Sequence, residues 1–448
     1  MVVHGPSSAS SPGPRLDTAT SARHCIREAG KRPARKSCEP AFQARLRARL
    51  GRGFCPTTRH ARETTVVHPL PRESAESPAR WLTPIAAFLL FATAGCGTQP
   101  APPPVAEVET VDPATLCRRI DAVLDHARDA RRLNPRDHAA WQVVHGILAF
   151  GEAFPIQQGD GTTPALAYLL EGGRLTGWSL RPSSPGVISV LEAGSKTGQG
   201  HPDQWLGYLS QCSLEGLPPD TPLVVAGERR RVGDLIEQAK HDLRPGQEAT
   251  WTLMALATYL PTDAEWTSGD GEEWSLERLV AMEAAADLAG SACGGSHRLY
   301  GLAVAVNRYL AATGLNPEEL TGGWAAAEAR IQEGIEKARR FQQPDGSFST
   351  SFFERPGSSP DVFARIGATG HTFEFLAMAL DERRLAEPWM RRAAAALVTL
   401  LEQTADVPVE CGGLYHAAHG LVLYRARTCG PTVSVEETAA TERPGESD

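Results

Sequence analysis

The chain has 448 residues, a formal net charge of −8 and 42% hydrophobic residues, which is enough apolar content for one large globular domain or for two or three ordinary ones. The charge is unevenly distributed, because residues 1–80 contain 15 Lys and Arg against 6 Asp and Glu, and the remainder of the chain is acidic. An acidic remainder argues against nucleic acid as a partner. The nine cysteines include no Cys-x-x-Cys pair, which argues against a zinc ribbon and leaves buried thiols or long-range disulfides.

The first 80 residues are rich in Pro, Ser and Arg and have no sustained hydrophobic period, so we expect a disordered basic segment. The apolar run that follows it resembles a signal sequence, and a signal sequence should begin close to the N-terminus. Translation from Val66 or Val67 would satisfy this requirement. The alternative is a genuine disordered extension that precedes a buried apolar segment.

The apolar run covers residues 81–96 and ends in Thr93-Ala94-Gly95-Cys96, which resembles the lipobox of bacterial lipoproteins. The resemblance implies lipidation of Cys96 and an extracytoplasmic protein that is lipid-anchored to a bacterial membrane. Residues 97–110 are rich in proline and suit a tether between the anchor and a domain.

From residue 111 to residue 430 the apolar periodicity predicts an all-α domain in which amphipathic helices alternate with more uniformly apolar ones. We interpret the apolar helices as inner and the amphipathic helices as outer. The predicted inner helices are His138–Phe150, Pro202–Gln211, Thr250–Leu260, Ser296–Leu310, Thr369–Leu380 and Leu414–Arg425, and the outer helices begin near residues 113, 164, 232, 275, 322 and 386. Glycine turns or small β-hairpins precede three of the outer helices, and residues 431–448 form an acidic tail that we expect to be disordered.

The segment Gln342-Gln343-Pro344-Asp345-Gly346-Ser347-Phe348 is similar to the Q-x-x-D-G-S turn of squalene cyclases and protein prenyltransferase β subunits. The resemblance implies a closed (α/α)6 toroid of six helical hairpins around a central cavity. In that motif the glutamine and the glycine turn tie an outer helix to the next inner one.

The chemistry of these families matches the sequence only in part. The D-x-D-D acid of the cyclases does not occur. Cys293 and His416 lie in contexts similar to two zinc ligands of the prenyltransferases, but Ser291 stands where the aspartate ligand would be. The C-x2-C-x16-C-x2-C module of ADP-ribosylation-factor GTPase activators does not occur either, so a GTPase-activating role has no support.

If the inner helices are parallel, the residues at their N-termini collect at one rim, where helix dipoles depress histidine pKa values. These residues are His138, His201, Cys293, His297, His371 and His416. They predict acid–base chemistry or a metal site, with zinc as the candidate ion. The candidate catalytic residues are His201, Asp203, His297, His371 and Glu374; the ligand-binding residues are Trp205, Tyr208 and Arg298; and the metal ligands are Cys293, His371 and His416.

Two functional classes remain open at this stage. An enzyme would act in the cavity on a carbohydrate fragment or another small ligand through its His and Asp side chains. A non-catalytic binding or scaffold protein of the cell envelope would use the face of the toroid, and its histidines would be structural. Charged residues are few on the predicted inner helices, whereas the cavity of an enzyme usually holds several. The sequence therefore favours neither class over the other.

Overall fold

The computed structural model describes residues 111–201, 203–212 and 216–430. The disordered segment, the apolar run with Cys96, the tether and the acidic tail predicted above lie outside these residues. Within them the fold is mostly helical, as predicted. The helices are α1 (Pro113–Asp129), α2 (Ala140–Phe150), α3 (Ala165–Leu170), α4 (Gln204–Leu209), α5 (Val232–Asp242), α6 (Thr250–Tyr259), α7 (Leu276–Ala285), α8 (Ser296–Thr313), α9 (Gly322–Arg340), α10 (Val362–Ala379), α11 (Glu382–Leu385), α12 (Pro388–Gln403) and α13 (Cys411–Thr428). None of these helices combines the length and the apolar character needed to cross a bilayer.

Four antiparallel two-stranded hairpins lie between the helices of the first half. Their strands are β1 (Pro155–Gln158) with β2 (Gly161–Pro164), β3 (Trp178–Pro182) with β4 (Val187–Leu191), β5 (Pro222–Val225) with β6 (Glu228–Arg231), and β7 (Glu265–Thr267) with β8 (Glu273–Ser275). The first, third and fourth hairpins lead directly into α3, α5 and α7, as the glycine turns predicted. Gly227 has φ +85° at the turn between β5 and β6, a conformation that side chains other than glycine adopt rarely.

The predicted contrast between uniformly buried and amphipathic helices is seen in the burial of α6 and α1, and we keep the terms inner and outer for these two kinds of helix. In α6 every residue from Thr250 to Thr258 is buried, whereas α1 buries one stripe and exposes the rest. Local sequence sets the start of α1, where Asp112 accepts a hydrogen bond from the Thr115 backbone N–H at 2.9 Å and Pro113 occupies the first turn.

The inner helices α2, α4, α6, α8, α10 and α13 pack against one another in a cyclic order. Each contacts the next one in this series, and α13 contacts α2. Among the outer helices, α1 packs against both α12 and α13, which brings the first and last helices of the described chain together.

Covalent and ionic contacts reinforce this junction between α1 and the end of the chain. Cys117 forms a disulfide with Cys429 across a sequence separation of 312 residues. Arg425 Nε also donates to Asp121 at 2.5 Å. One long-range disulfide was among the alternatives that the cysteine spacing left open.

Small residues allow α10 and α13 to approach closely. A Cβ atom added to Gly420 would lie 2.9 Å from the Cα of Glu374, and one added to Gly370 would lie 2.9 Å from the Cα of Ala417. Glycines at these two contacts therefore place the backbone of Glu374 directly against α13.

One detail of the sequence-based picture is wrong. Helix α10 begins at Val362, not near Thr369, because Gly367 and Gly370 lie inside the helix, not in a loop before it. In the glycine turn, Asp345 pairs with Arg365 and the Phe348 backbone N–H donates to Thr369 at 3.2 Å, so the turn contacts the inner helix α10, and Gln342 also donates to the Trp389 carbonyl of α12 at 2.9 Å.

Candidate functional site

Three inner helices each bring a pair of chemically active residues to one place. Cys293 lies in the turn Ala292–Gly295 before α8 and His297 in the first turn of α8, His371 and Glu374 lie in α10, and His416 and His419 lie in α13. A spacing of three residues puts each of the last two pairs on one face of its helix. Tyr208 of α4 and His145 of α2 complete the group, which we call the histidine cluster.

The donor atoms of three cluster residues lie close enough together to hold a single metal ion. The Cys293 Sγ and one ring nitrogen each of His297 and His371 all lie within 4.8 Å of one another. The His416 ring packs against both histidines, with centroids 4.7 Å from His297 and 4.2 Å from His371. Sulfur and imidazole donors in this combination suit zinc.

The N–H groups of three histidines point away from the centre of the cluster. His145 Nδ1 lies 2.5 Å from the Trp141 carbonyl and His371 Nδ1 lies 2.6 Å from the Gly367 carbonyl, each one turn back in its own helix. His416 Nδ1 lies 2.7 Å from Glu374 Oε2. Because a carbonyl or carboxylate can only accept, each Nδ1 carries the proton. In the neutral form of each imidazole, Nε2 is thereby left as the atom that can accept a proton or bind a metal.

Glu374 connects two histidines of α13. Its Oε2 accepts from His416 Nδ1 at 2.7 Å and its Oε1 accepts from His419 Nδ1 at 2.6 Å, and all three side chains are buried. Burial would raise the pKa of Glu374, but these two imidazoles hold it well below its usual range. Burial lowers the pKa of His416 to about 3, so this pair consists of a carboxylate and a neutral imidazole.

His297 and His371 differ in their electrostatics. Burial and the neighbouring histidines His416 and His371 hold the pKa of His297 well below its usual value. Burial also opposes charge on His371, but the nearby Cys293 sulfur outweighs it and raises the pKa of His371 to about 9. His297 has no hydrogen-bond partner for its ring among the described residues, although its side chain is buried.

The backbone is strained where the cluster meets solvent. Cys293 has φ 50° and ψ 43° in the turn Ala292–Gly295, and Phe352 on the facing loop has φ 49°. A Cβ atom on Gly294 would lie 2.5 Å from the Phe352 Cβ, so the two loops are in contact. Non-glycine residues in this region are held at a cost of about 1–3 kcal/mol each and concentrate at functional sites.

The predicted site residues His201, Asp203 and Trp205 lie beside the cluster, not within it. The His201 ring stacks on Trp251 at 3.9 Å, and Trp251 in turn lies 5.2 Å from His297. The Asp203 carboxylate accepts from Thr252, and burial raises its pKa. Trp205 is buried in the core.

Arg298, predicted to bind a ligand, contacts two carboxylates. Its Nε lies 3.3 Å from Glu283 Oε2, and the side chains are 5% and 1% exposed. Its second contact is with Glu248, at 4.0 Å. Glu283 also accepts from the Ala249 backbone N–H at 2.9 Å and from Thr250 at 3.0 Å, so the pair fastens α8 to the start of α6.

The sequence-based site prediction missed two histidines and misplaced one. His138 lies before α2, where its Nδ1 accepts from the Asn134 backbone N–H at 3.1 Å. His145, in the middle of α2, belongs to the cluster instead. His419 was not assigned a role, although its spacing of three from His416 is the same signal that links His371 to Glu374.

No protein family, no characterised protein and no solved structure is detectably similar to the chain. The resemblance to squalene cyclases and prenyltransferases therefore remains a prediction, as does the lipoprotein resemblance.

Proposed function

We propose that the protein is a metal-dependent enzyme whose zinc ion is held by Cys293, His297 and His371. The observation that carries the proposal is that the Cys293 sulfur and one ring nitrogen each of His297 and His371 lie within 4.8 Å of one another, with the His371 N–H directed away to the Gly367 carbonyl. Zinc sites with three protein ligands keep a fourth position open for water or substrate, and zinc lowers the pKa of such a water to about 7.

Charge balance supports the same assignment. A dication in a buried site requires compensating negative charge. The cluster offers two such charges, a thiolate from Cys293 and the carboxylate of Glu374. Because both oxygens of Glu374 already accept hydrogen bonds, its role is to orient histidines and to balance charge.

A closed (α/α)6 toroid is the architecture that we propose for the domain. The cyclic packing of the six inner helices and the contacts of α1 with α12 and α13 support it. In such a ring the histidine cluster lies where the inner helices converge, and its substrate is a small molecule or a carbohydrate fragment admitted past Cys293 and His201.

The proposed location is outside the cytoplasm, with Cys96 as the lipidated residue. The Cys117–Cys429 disulfide supports this location, because disulfides persist in oxidising compartments and are rare in the cytosol.

A second candidate function follows from the Cys293–His371 pair. A thiol paired with an imidazole of raised pKa at the start of a helix is the arrangement of a cysteine nucleophile. In this candidate the sulfur attacks the substrate and no metal is required.

Elemental analysis of the purified full-length chain distinguishes the two. We expect about one zinc ion per chain, as for a mononuclear site. The single variants Cys293→Ala, His297→Ala and His371→Ala should lose it. His241→Gln changes a half-buried histidine on the outer helix α5, outside the cluster, and is the matched control that should retain the zinc.

Alkylation by iodoacetamide completes the test. In the metal enzyme, Cys293 reacts only after a chelator has removed the zinc. Wild-type protein that holds no transition metal and whose Cys293 alkylates freely would overturn the metal proposal and favour the thiol nucleophile. Absence of both metal and reactivity would favour a binding protein.

A further inference from the structure

The hydroxyl group of Tyr208 has two hydrogen-bond acceptors beside it but can donate to only one. It lies 3.1 Å from His145 Nε2 and 3.2 Å from His416 Nε2. The outward N–H groups leave both of these nitrogens as acceptors. A hydroxyl group has a single hydrogen, so it can donate to only one of them.

Gln204 does not supply a hydrogen bond to either histidine nitrogen. Its Oε1 accepts from the His201 backbone N–H at 3.1 Å, which fixes the orientation of the amide. Its Nε2 therefore donates to the Tyr208 oxygen, at 2.8 Å. The donation fills an acceptor position of the hydroxyl group and adds no donor for His145 or His416.

One buried imidazole nitrogen is consequently left without a donor among the described residues. His145 contacts Tyr208 and His416 but neither of the proposed zinc ligands His297 and His371, whereas the His416 ring lies against both. Of these two nitrogens, that of His416 therefore lies on the residue in direct ring contact with both proposed histidine ligands. The arrangement that satisfies every nitrogen has Tyr208 donating to His145 and a bound ligand donating to His416.

We infer that His416 Nε2 accepts a hydrogen bond from a protic ligand, either water or a hydroxyl group of the substrate, at the open position of the metal. This inference rests on the metal site proposed above and assigns His416 to the ligand and not to the metal. Glu374 holds the imidazole in the required tautomer, and His419 holds Glu374 from the other side. An aprotic ligand would leave the nitrogen of His416 unsatisfied, although this side chain is buried.

The competing arrangement makes His416 a fourth zinc ligand. Four protein ligands would close the coordination sphere, as in structural zinc sites, and no substrate would reach the metal. The two arrangements therefore predict opposite results for the same variant.

The experiment uses the full-length chain reloaded with Co²⁺, whose visible spectrum reports coordination, and two small probes. Acetohydroxamic acid carries a hydroxyl proton, whereas azide carries none. We expect wild-type protein to bind both. His416→Ala should retain cobalt and the affinity for azide but bind acetohydroxamic acid about tenfold more weakly, the effect of one lost hydrogen bond.

His416→Gln retains an acceptor oxygen and should recover most of the affinity for acetohydroxamic acid, which also guards against a folding defect in the alanine variant. Loss of cobalt from both variants would make His416 a ligand and overturn the inference while leaving the metal site in place. Equal affinities for acetohydroxamic acid in wild type and His416→Ala, or a wild-type metal that takes neither probe, would also overturn it. A wild-type chain that binds no metal would overturn the proposed function itself.

Discussion

Replacement of Gly420 by alanine tests whether the close contact of α10 and α13 builds the site. The added Cβ would lie 2.9 Å from both the Cα and the N of Glu374. These are backbone atoms of a buried helix and cannot rotate away, so the helices must separate by a few tenths of an ångström. Overpacking of this kind costs about 1–3 kcal/mol.

Helix propensity acts in the opposite direction, because alanine is favoured over glycine by about 1 kcal/mol inside a helix. Gly367→Ala provides the matched control, since this glycine also lies within a helix of the same pair and an added Cβ would meet no atom within 4 Å. The difference in the free energy of unfolding between the two variants therefore isolates the packing cost. We expect Gly420→Ala to be less stable than Gly367→Ala by about 1–3 kcal/mol.

Urea denaturation of both variants measures this difference, and chelator competition measures their zinc affinity. Gly420→Ala should also bind zinc more weakly, because Glu374 moves away from the histidines that it orients. Equal stability of the two variants would refute the packing argument. Reduced stability with unchanged zinc affinity would refute the link between the helix contact and the site.

Four further results are expected. Arg298→Met should lower the free energy of unfolding by about 3–5 kcal/mol, because it leaves Glu283 buried without its partner, and the Arg298→Met/Glu283→Gln double variant should recover part of this loss in the same denaturation assay. Reduction of the Cys117–Cys429 disulfide should lower the free energy of unfolding by about 2–5 kcal/mol, and an unchanged urea midpoint after reduction would contradict this. In chelator-treated protein the pKa of His416 is lowered from 6.5 to about 3, so between these pH values the imidazole is protonated in the unfolded state and neutral in the folded state. The free energy of unfolding should therefore fall by about 1.4 kcal/mol for each pH unit between 6.5 and about 3 because of this group. Denaturation of His416→Gln at the same pH values should lack this contribution. Zinc at a hundredfold excess over its dissociation constant should raise the free energy of unfolding by about 2.7 kcal/mol, and calorimetry with and without chelator checks this value.

The alternation of inner and outer helices could be predicted because it depends on local periodicity, which each helix carries in its own sequence. The start of α10 could not, because Gly367 and Gly370 look like loop residues until the partner helix is known. The hairpin of β3 and β4 was missed as well, although Pro185 and Gly186 mark its turn.

The members of the site could be named in large part from sequence, since cysteine and histidine at helix starts are an unusual combination. Their connections could not. The bond from Glu374 to His416 and His419 depends on the register of two helices that are more than 40 residues apart, and sequence spacing does not encode that register. His145 was missed because it lies in the middle of an apolar helix, where a histidine has no local signal of function.

The Cys117–Cys429 bond has a mechanical consequence. A pulling force applied at the two ends of the domain passes through the sulfur–sulfur link, because Cys117 lies in the first described helix and Cys429 directly after the last one. The 311 residues between them form a covalent loop that carries no tension. Force applied at both ends of the domain would thus be transmitted without stretching the helices that hold its histidines.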